Sequence, residues 1–278
     1  MTRVIIHAGF HKTGTTSLQA FLERNAQRLR PHMAVYQKTE LKRARYLGRW
    51  YGQRPVFWRR WLFRLGFRAF LRSVPDAPVI VISRESLSGM MLGLRGARLR
   101  PARRYAPMAI PLAREIIRET RRRFGPDVRI EFLYTTRAPR PFVNSLWRHV
   151  LRTNRLTQNE AQFAAGFSPL PDLEAEARAI RQAIAPVPVH TAALEGYADH
   201  PFGPAQALLD LLDIPPQTQA ELRPIGRRNP GQSETLSQEF LKLNRGKMRG
   251  RKLYETKEAL AIAEHPPQTR RKPQYRKP

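Results

Sequence analysis

"TRVIIHAGFHKTGTTSLQ", residues Thr2 to Gln19, decides the fold. Val4, Ile5 and Ile6 read as a short buried strand, Gly9 to Gly14 as a turn, and Leu18, Phe21, Leu22 and Leu29 fall at helical spacing. Strand, glycine turn and helix in that order form a phosphate-binding loop, in which main-chain N–H groups and a helix N-terminus surround an anion. The usual nucleotide-binding version follows its second glycine with Lys and Ser or Thr. Here Gly9 and Gly14 keep the spacing, but Thr15 and Thr16 follow, and the lysine, Lys12, lies inside the loop.

That displacement changes the chemistry. With no lysine after Gly14, kinase or ATPase reactions lose their main cation for the outer phosphates. The cradle itself remains: Gly14 allows close approach, and the N–H groups of Thr13 to Ser17 with three threonine hydroxyls (Thr13, Thr15, Thr16) suit one phosphate. Lys12, just before the cradle, suits negative charge developing on an oxygen that links this phosphate to a transferable group. His11 is expected to line the same pocket.

Outward from the loop, strand candidates are Pro78 to Ser83, Val128 to Thr136 and Val187 to Thr191, with helical patterns near 111–124, 141–152, 172–185 and 203–212. Apolar strands alternating with helices predict an α/β fold: three layers, α/β/α, around a central, mainly parallel sheet. One domain is expected over 1–245, with a basic, aromatic-rich helical insert at 41–75. Residues 246–278 should be a basic helix and a tail too rich in proline and charge to pack a core.

A second anion site follows the strand at 128–136. Arg137 stands at its end, Ala138-Pro139 keeps the chain extended, Pro141 suits a helix start, and Ser145 falls on the first turns of that helix. An arginine fork with a nearby hydroxyl can hold a phosphate.

"HKTGTTSLQ" resembles the 5′-phosphosulfate loop of sulfotransferases that use 3′-phosphoadenosine-5′-phosphosulfate (PAPS). Arg137 with Ser145, eight residues apart and followed by Trp147, is similar to that family's 3′-phosphate motif. "RRNPGQS", residues 227–233, more loosely resembles its C-terminal donor-binding segment, which makes Arg228 a further 3′-phosphate contact. The resemblance implies a P-loop nucleotide-kinase-like fold, PAPS as donor and PAP as product, and no metal requirement. It also implies that Ser145 restrains Lys12 until the acceptor arrives.

Transfer to a hydroxyl needs a base opposite the leaving phosphate. Glu85, directly after the strand candidate at 78–83, sits where parallel sheets place their ligands; His149, His7 and His11 are alternatives. The catalytic set is therefore Lys12, Glu85 and Ser145.

The 278 residues carry a net charge of +28, with 41 arginines and 9 lysines, and no cysteine. Disulfides and thiolate metal sites are excluded, and polyanionic partners are favoured. The short apolar start runs straight into the loop and no stretch approaches the roughly 20 residues that cross a bilayer, so a cytoplasmic protein is expected, with possible contact at the inner membrane surface. In 41–75, ten basic residues and nine aromatics occur without a carboxylate. Arg60, Arg64, Arg68 and Arg72 beside Phe57, Trp61 and Leu65 form a basic amphipathic helix, and Arg95, Arg98, Arg100, Arg103 and Arg104 a second cluster. These suit a lid over an anionic glycan or docking on anionic lipid near a lipid-linked glycan. The competing readings are a P-loop kinase with a deviant loop and a basic nucleic-acid or polyanion-binding protein.

Overall fold

In the computed structural model, which describes residues 1–94, 101–225 and 231–264, five parallel strands form one sheet. In chain order they are β1 (Arg3–His7), β2 (Ala34–Tyr36), β3 (Val79–Ser83), β4 (Arg129–Thr136) and β5 (Val189–Ala193), arranged β2-β3-β1-β4-β5. The twelve described helices are α1 (Thr15–Arg24), α2 (Ala26–Leu29), α3 (Ala44–Gln53), α4 (Phe57–Leu71), α5 (Ala106–Phe124), α6 (Pro139–Thr153), α7 (Glu160–Ala165), α8 (Leu173–Ile184), α9 (Gln206–Leu209), α10 (Pro216–Glu221), α11 (Glu234–Arg245) and α12 (Gly250–Glu264). The α/β class and parallel sheet expected from the alternating pattern are what the chain forms. β2, three half-buried residues, is too short an apolar run to be read as a strand from the sequence.

The chain divides into two units, 1–139 with 171–228, and 140–170 with 229–278. The first has three layers. Ile5, Val81, Leu133 and Ala192 face one way and pack with Leu18, Phe21 and Leu22 of α1 and Leu208 and Leu209 of α9. Because successive strand residues point to opposite faces, Val4, Ile6, Ile80, Ile82 and Phe132 are buried on the other side. There α8 lies on β4 and β5, α5 on α8, and α4 on α5. Glu176 of α8 accepts the Ala106 N–H at 2.6 Å, capping α5, and its other oxygen takes Arg104 Nε at 2.9 Å.

The basic stretch at 41–75 becomes α3 and α4, joined to this core rather than lying over it. Gly48 and Gly52 of α3 touch Ser86 O and Met90 N so closely that an added Cβ would stand 2.2 and 2.4 Å from them. In α4 the buried face is Phe63, Phe67, Phe70 and Leu71, not the Phe57, Trp61 and Leu65 stripe. The arginine row is only partly solvated: Arg60 and Arg72 are exposed, while Arg68 holds Glu119 of α5 with bonds of 2.7 and 2.9 Å and Arg60 approaches Glu115 at 3.4 Å. Arg95, Arg98, Arg100 and Arg228 lie outside the described residues.

The second unit contains nearly all of α6, with α7, α11 and α12. Helix α6 begins at Pro139, two residues before the expected Pro141. Its C-terminal carbonyls are held from within the unit: Lys257 Nζ donates to Leu151 O and Asn154 O at 2.9 and 3.0 Å, and Asn244 Nδ2 bonds both and Leu156 O. Burial lowers the Lys257 ammonium to about 8.

Candidate functional site

β1 is central, flanked by β3 and β4. The loop at 8–14, the residues after β3 and Arg137 after β4 therefore leave the carboxyl edge of three adjacent strands, where such sheets bind ligands. His7, the last residue of β1, pairs in register with Ser83, and its Nδ1 lies 2.8 Å from Ser83 Oγ.

The loop has three left-handed residues: Gly9 (φ 44°), Lys12 (φ 68°) and Gly14 (φ 89°). At Gly14 only glycine fits, since a Cβ would also stand 2.9 Å from Leu194 and Pro204. Lys12 adopts this conformation with a side chain, at a cost of roughly 1 kcal/mol, and such strain collects where structure serves function. The loop is tied down from outside. Thr13 Oγ1 donates to Phe10 O at 2.6 Å and lies 2.7 Å from Thr135 Oγ1 of β4, and Ser88 Oγ bonds Ala8 O and Gly9 O.

These ties correct two expectations. The hydroxyls of Thr13 and Thr15 turn inward to Phe10 O, which leaves exposed Thr16 as the outward-facing threonine. The Ser17 N–H bonds Gly14 O at 2.9 Å. The N–H groups of Gly14, Thr15 and Thr16 have no acceptor among the described residues, so they form the open end of α1.

Arg137 reaches this loop: its guanidinium donates to Lys12 O at 3.3 Å. The turn carrying it is steadied by Glu195, whose carboxylate accepts the Ala138 N–H at 3.1 Å. Partial burial lowers the Arg137 pKa, with Glu195 opposing. Ser145 lies on the second turn of α6 in the second unit, and His149 one turn further on.

Glu85 opens a 3-10 turn (Glu85–Ser88) directly after β3. Arg84 Nη1 bonds one carboxylate oxygen at 2.9 Å, and Gln19 Nε2 approaches the other at 3.4 Å. Burial pushes this carboxyl up, but Arg84, His11 and Gln19 outweigh it and hold it below the usual carboxylate range. Gln19 also donates to Ser83 O at 3.2 Å, so this residue links α1, the phosphate-loop helix, to the end of β3 and the carboxylate.

His11 is fixed by Tyr105, a fully buried residue. The phenol oxygen accepts the His11 main-chain N–H at 3.3 Å and lies 3.1 Å from His11 Nδ1. Burial drives the Tyr105 pKa upward, so the phenol keeps its proton near pH 7. Burial lowers the imidazole to about 4, helped by Arg84, Arg49 and Lys12 against Glu85. His7, fully buried, is also lowered to about 4 by desolvation. Both histidines are neutral near pH 7, and the buried His7 Nε2 has no partner among the described residues.

The structure thus brings Lys12, Gly14, Thr15, Thr16, Arg137, His11 and Glu85 to one edge of the sheet. Gln19, Ser88, Tyr105, Thr135 and Glu195 complete this arrangement and were not singled out from sequence. Gln19 carried the one available signal, as a polar residue on the α1 turn that also presents Leu18 and Leu22 to the core.

No protein-family model matches the chain, and no curated protein matches it. A solved structure of retinol dehydratase in complex with androsterone and the inactive cofactor PAP is similar at a TM-score of 0.31 and 15% identity, over 87% of this chain and 64% of that one. The chain therefore spans less than two thirds of that protein, and a likeness at this level says nothing about its chemistry. No described helix is long and apolar enough to cross a membrane.

Proposed function

We propose that this chain is a PAPS-dependent sulfotransferase acting on a hydroxyl of a carbohydrate, either an anionic or a lipid-linked glycan. The observation that carries this reading is Lys12: a cation in a strained left-handed position inside a phosphate loop, with Arg137 against its carbonyl. A loop built for ATP places its lysine one residue after the second glycine, where this chain has Thr15.

The residues present fit such a donor. Three N–H groups at the start of α1 with no acceptor among the described residues, beside a glycine whose surroundings crowd any Cβ, suit one phosphate. Lys12 and Arg137 supply two cations beside it. When bound, PAPS supplies a sulfuryl group on a phosphate that departs as an anion.

The N–H groups of Gly14 to Thr16 hold the 5′-phosphate. The ammonium of Lys12 would neutralise the charge left on the departing phosphate oxygen. Glu85, ionised because Arg84 and Gln19 hold it so, accepts the acceptor's proton as the hydroxyl oxygen bonds sulfur. His11, held by the Tyr105 hydroxyl, lines the pocket. Arg137 takes the 3′-phosphate. Arg49 and Arg84, close enough to act on the His11 imidazole, favour an acceptor that carries carboxylate, sulfate or phosphate groups.

The test is incubation with sulfur-labelled PAPS, cell-envelope extract and a panel of glycans. Label should reach a glycan with the wild-type chain and not with Lys12→Ala. Uptake of ATP with magnesium and indifference to 3′-phosphorylated nucleotide would replace this reading with a kinase.

A further inference from the structure

Helix α4 is aromatic on two sides. Phe63, Phe67 and Phe70 are buried, yet Phe57 is 78% exposed, Trp61 48% and Trp58 38%. A surface helix normally turns one apolar stripe inward and a polar face outward. Here the inward stripe is complete without the first turns, so the exposed rings serve something other than the core, and clustered exposed aromatics mark an interaction surface.

The segment that carries them is charged with one sign only. Between residues 41 and 75 there is no carboxylate. Arg54 is exposed just before α4, and Arg60 and Arg64 follow the rings on the helix. Arg59 is packed over the faces of Trp50 and Trp58, 4.2 and 5.1 Å from their centroids, and donates to Trp50 O at 2.8 Å. Trp50 and Trp58 therefore already have a cation on one face, which disfavours the open stacking platform that bases need. Phe57 and Trp61 project at i and i+4, on one side of the helix.

We infer that the N-terminal half of α4 anchors the protein on an anionic phospholipid bilayer, with Phe57 and Trp61 entering the headgroup boundary and Arg54 and its neighbours against the lipid phosphates. Indole and phenyl rings favour that boundary, and basic residues beside them draw the protein to an anionic leaflet. This anchor is independent of the donor site: Lys12→Ala leaves it intact.

The test uses the full chain with vesicles of phosphatidylcholine alone and of phosphatidylcholine mixed with phosphatidylglycerol. Wild type should sediment with the mixed vesicles, and bromine on the upper acyl chains should quench its tryptophan fluorescence. Phe57→Ser/Trp61→Ser should weaken partitioning about tenfold, with an unchanged melting temperature, and Arg54→Glu should weaken it on mixed vesicles only. No sedimentation of wild type, equal partitioning by the double variant, or retention of its fluorescence without quenching overturns the inference. So does preferential binding to RNA or heparin that the double variant loses while vesicle binding persists.

Discussion

The guanidinium of Arg137 donates a hydrogen bond to the main-chain carbonyl of Lys12 at 3.3 Å, across 125 residues of chain. It joins the end of β4 to the strained turn after β1, so two cations from separate motifs share one edge of the sheet. Arg137→Ala should raise the Kd for adenosine 3′,5′-bisphosphate by about two orders of magnitude, and Arg137→Lys should restore little, because an ammonium lacks the planar fork. Titration calorimetry measures both.

Lys12 is strained as well as charged. Lys12→Gly should stabilise the fold by about 1 kcal/mol, since glycine accepts a φ of 68° freely, while sulfuryl transfer falls by about 10² or more. Lys12→Ala should lose transfer equally without that gain. Urea unfolding and labelled-donor assays separate the two effects.

Glu85 is held below the usual carboxylate range by Arg84, His11 and Gln19 against the opposing effect of burial. A base with a depressed pKa works above that pKa and fails as pH falls through it. The acid limb of the rate profile should therefore lie below that of an ordinary carboxylate, and Arg84→Met should move it upward. Glu85→Gln should cost about 10²–10⁴ in kcat and leave nucleotide affinity unchanged.

His7 supplies a stability prediction. Its folded pKa of about 4 lies under its ordinary 6.5, so the unfolded chain binds the extra proton. The contribution is full above about pH 6.5 and is lost as pH falls toward 4, by roughly 3 kcal/mol. His7→Asn should flatten that part of the curve in urea titrations at stepped pH.

What the sequence discloses depends on how local the cause is. β1, the loop and α1 are legible because an apolar run, two glycines and a helical stripe lie within about twenty residues. β5 is found but runs Val189–Ala193 rather than Val187 to Thr191, since Pro188 delays pairing and its first ladder partner is Val189. The face of α4 misleads because aromatics occur on both sides, and only contact with α5 through Glu115 and Glu119 decides which is inside. Tyr105, Ser88 and Thr135 act on the loop from 79 to 122 residues away, and no periodicity encodes such contacts.

Tyr105 makes one of these testable. Tyr105 Oη lies 3.1 Å from His11 Nδ1; with the phenol as the donor of that bond, nitrogen NMR should find His11 in the Nε2–H tautomer at neutral pH. Tyr105→Phe should release that preference and cost about 1–3 kcal/mol for the groups left unpaired.

Calorimetry of the wild-type chain with adenosine 3′,5′-bisphosphate and with ATP and magnesium reaches the central claim most directly. The bisphosphate should bind without magnesium, and binding should collapse in Lys12→Ala/Arg137→Ala. Tight binding of ATP with magnesium, unaffected by that double change and with no response to the bisphosphate, would contradict it.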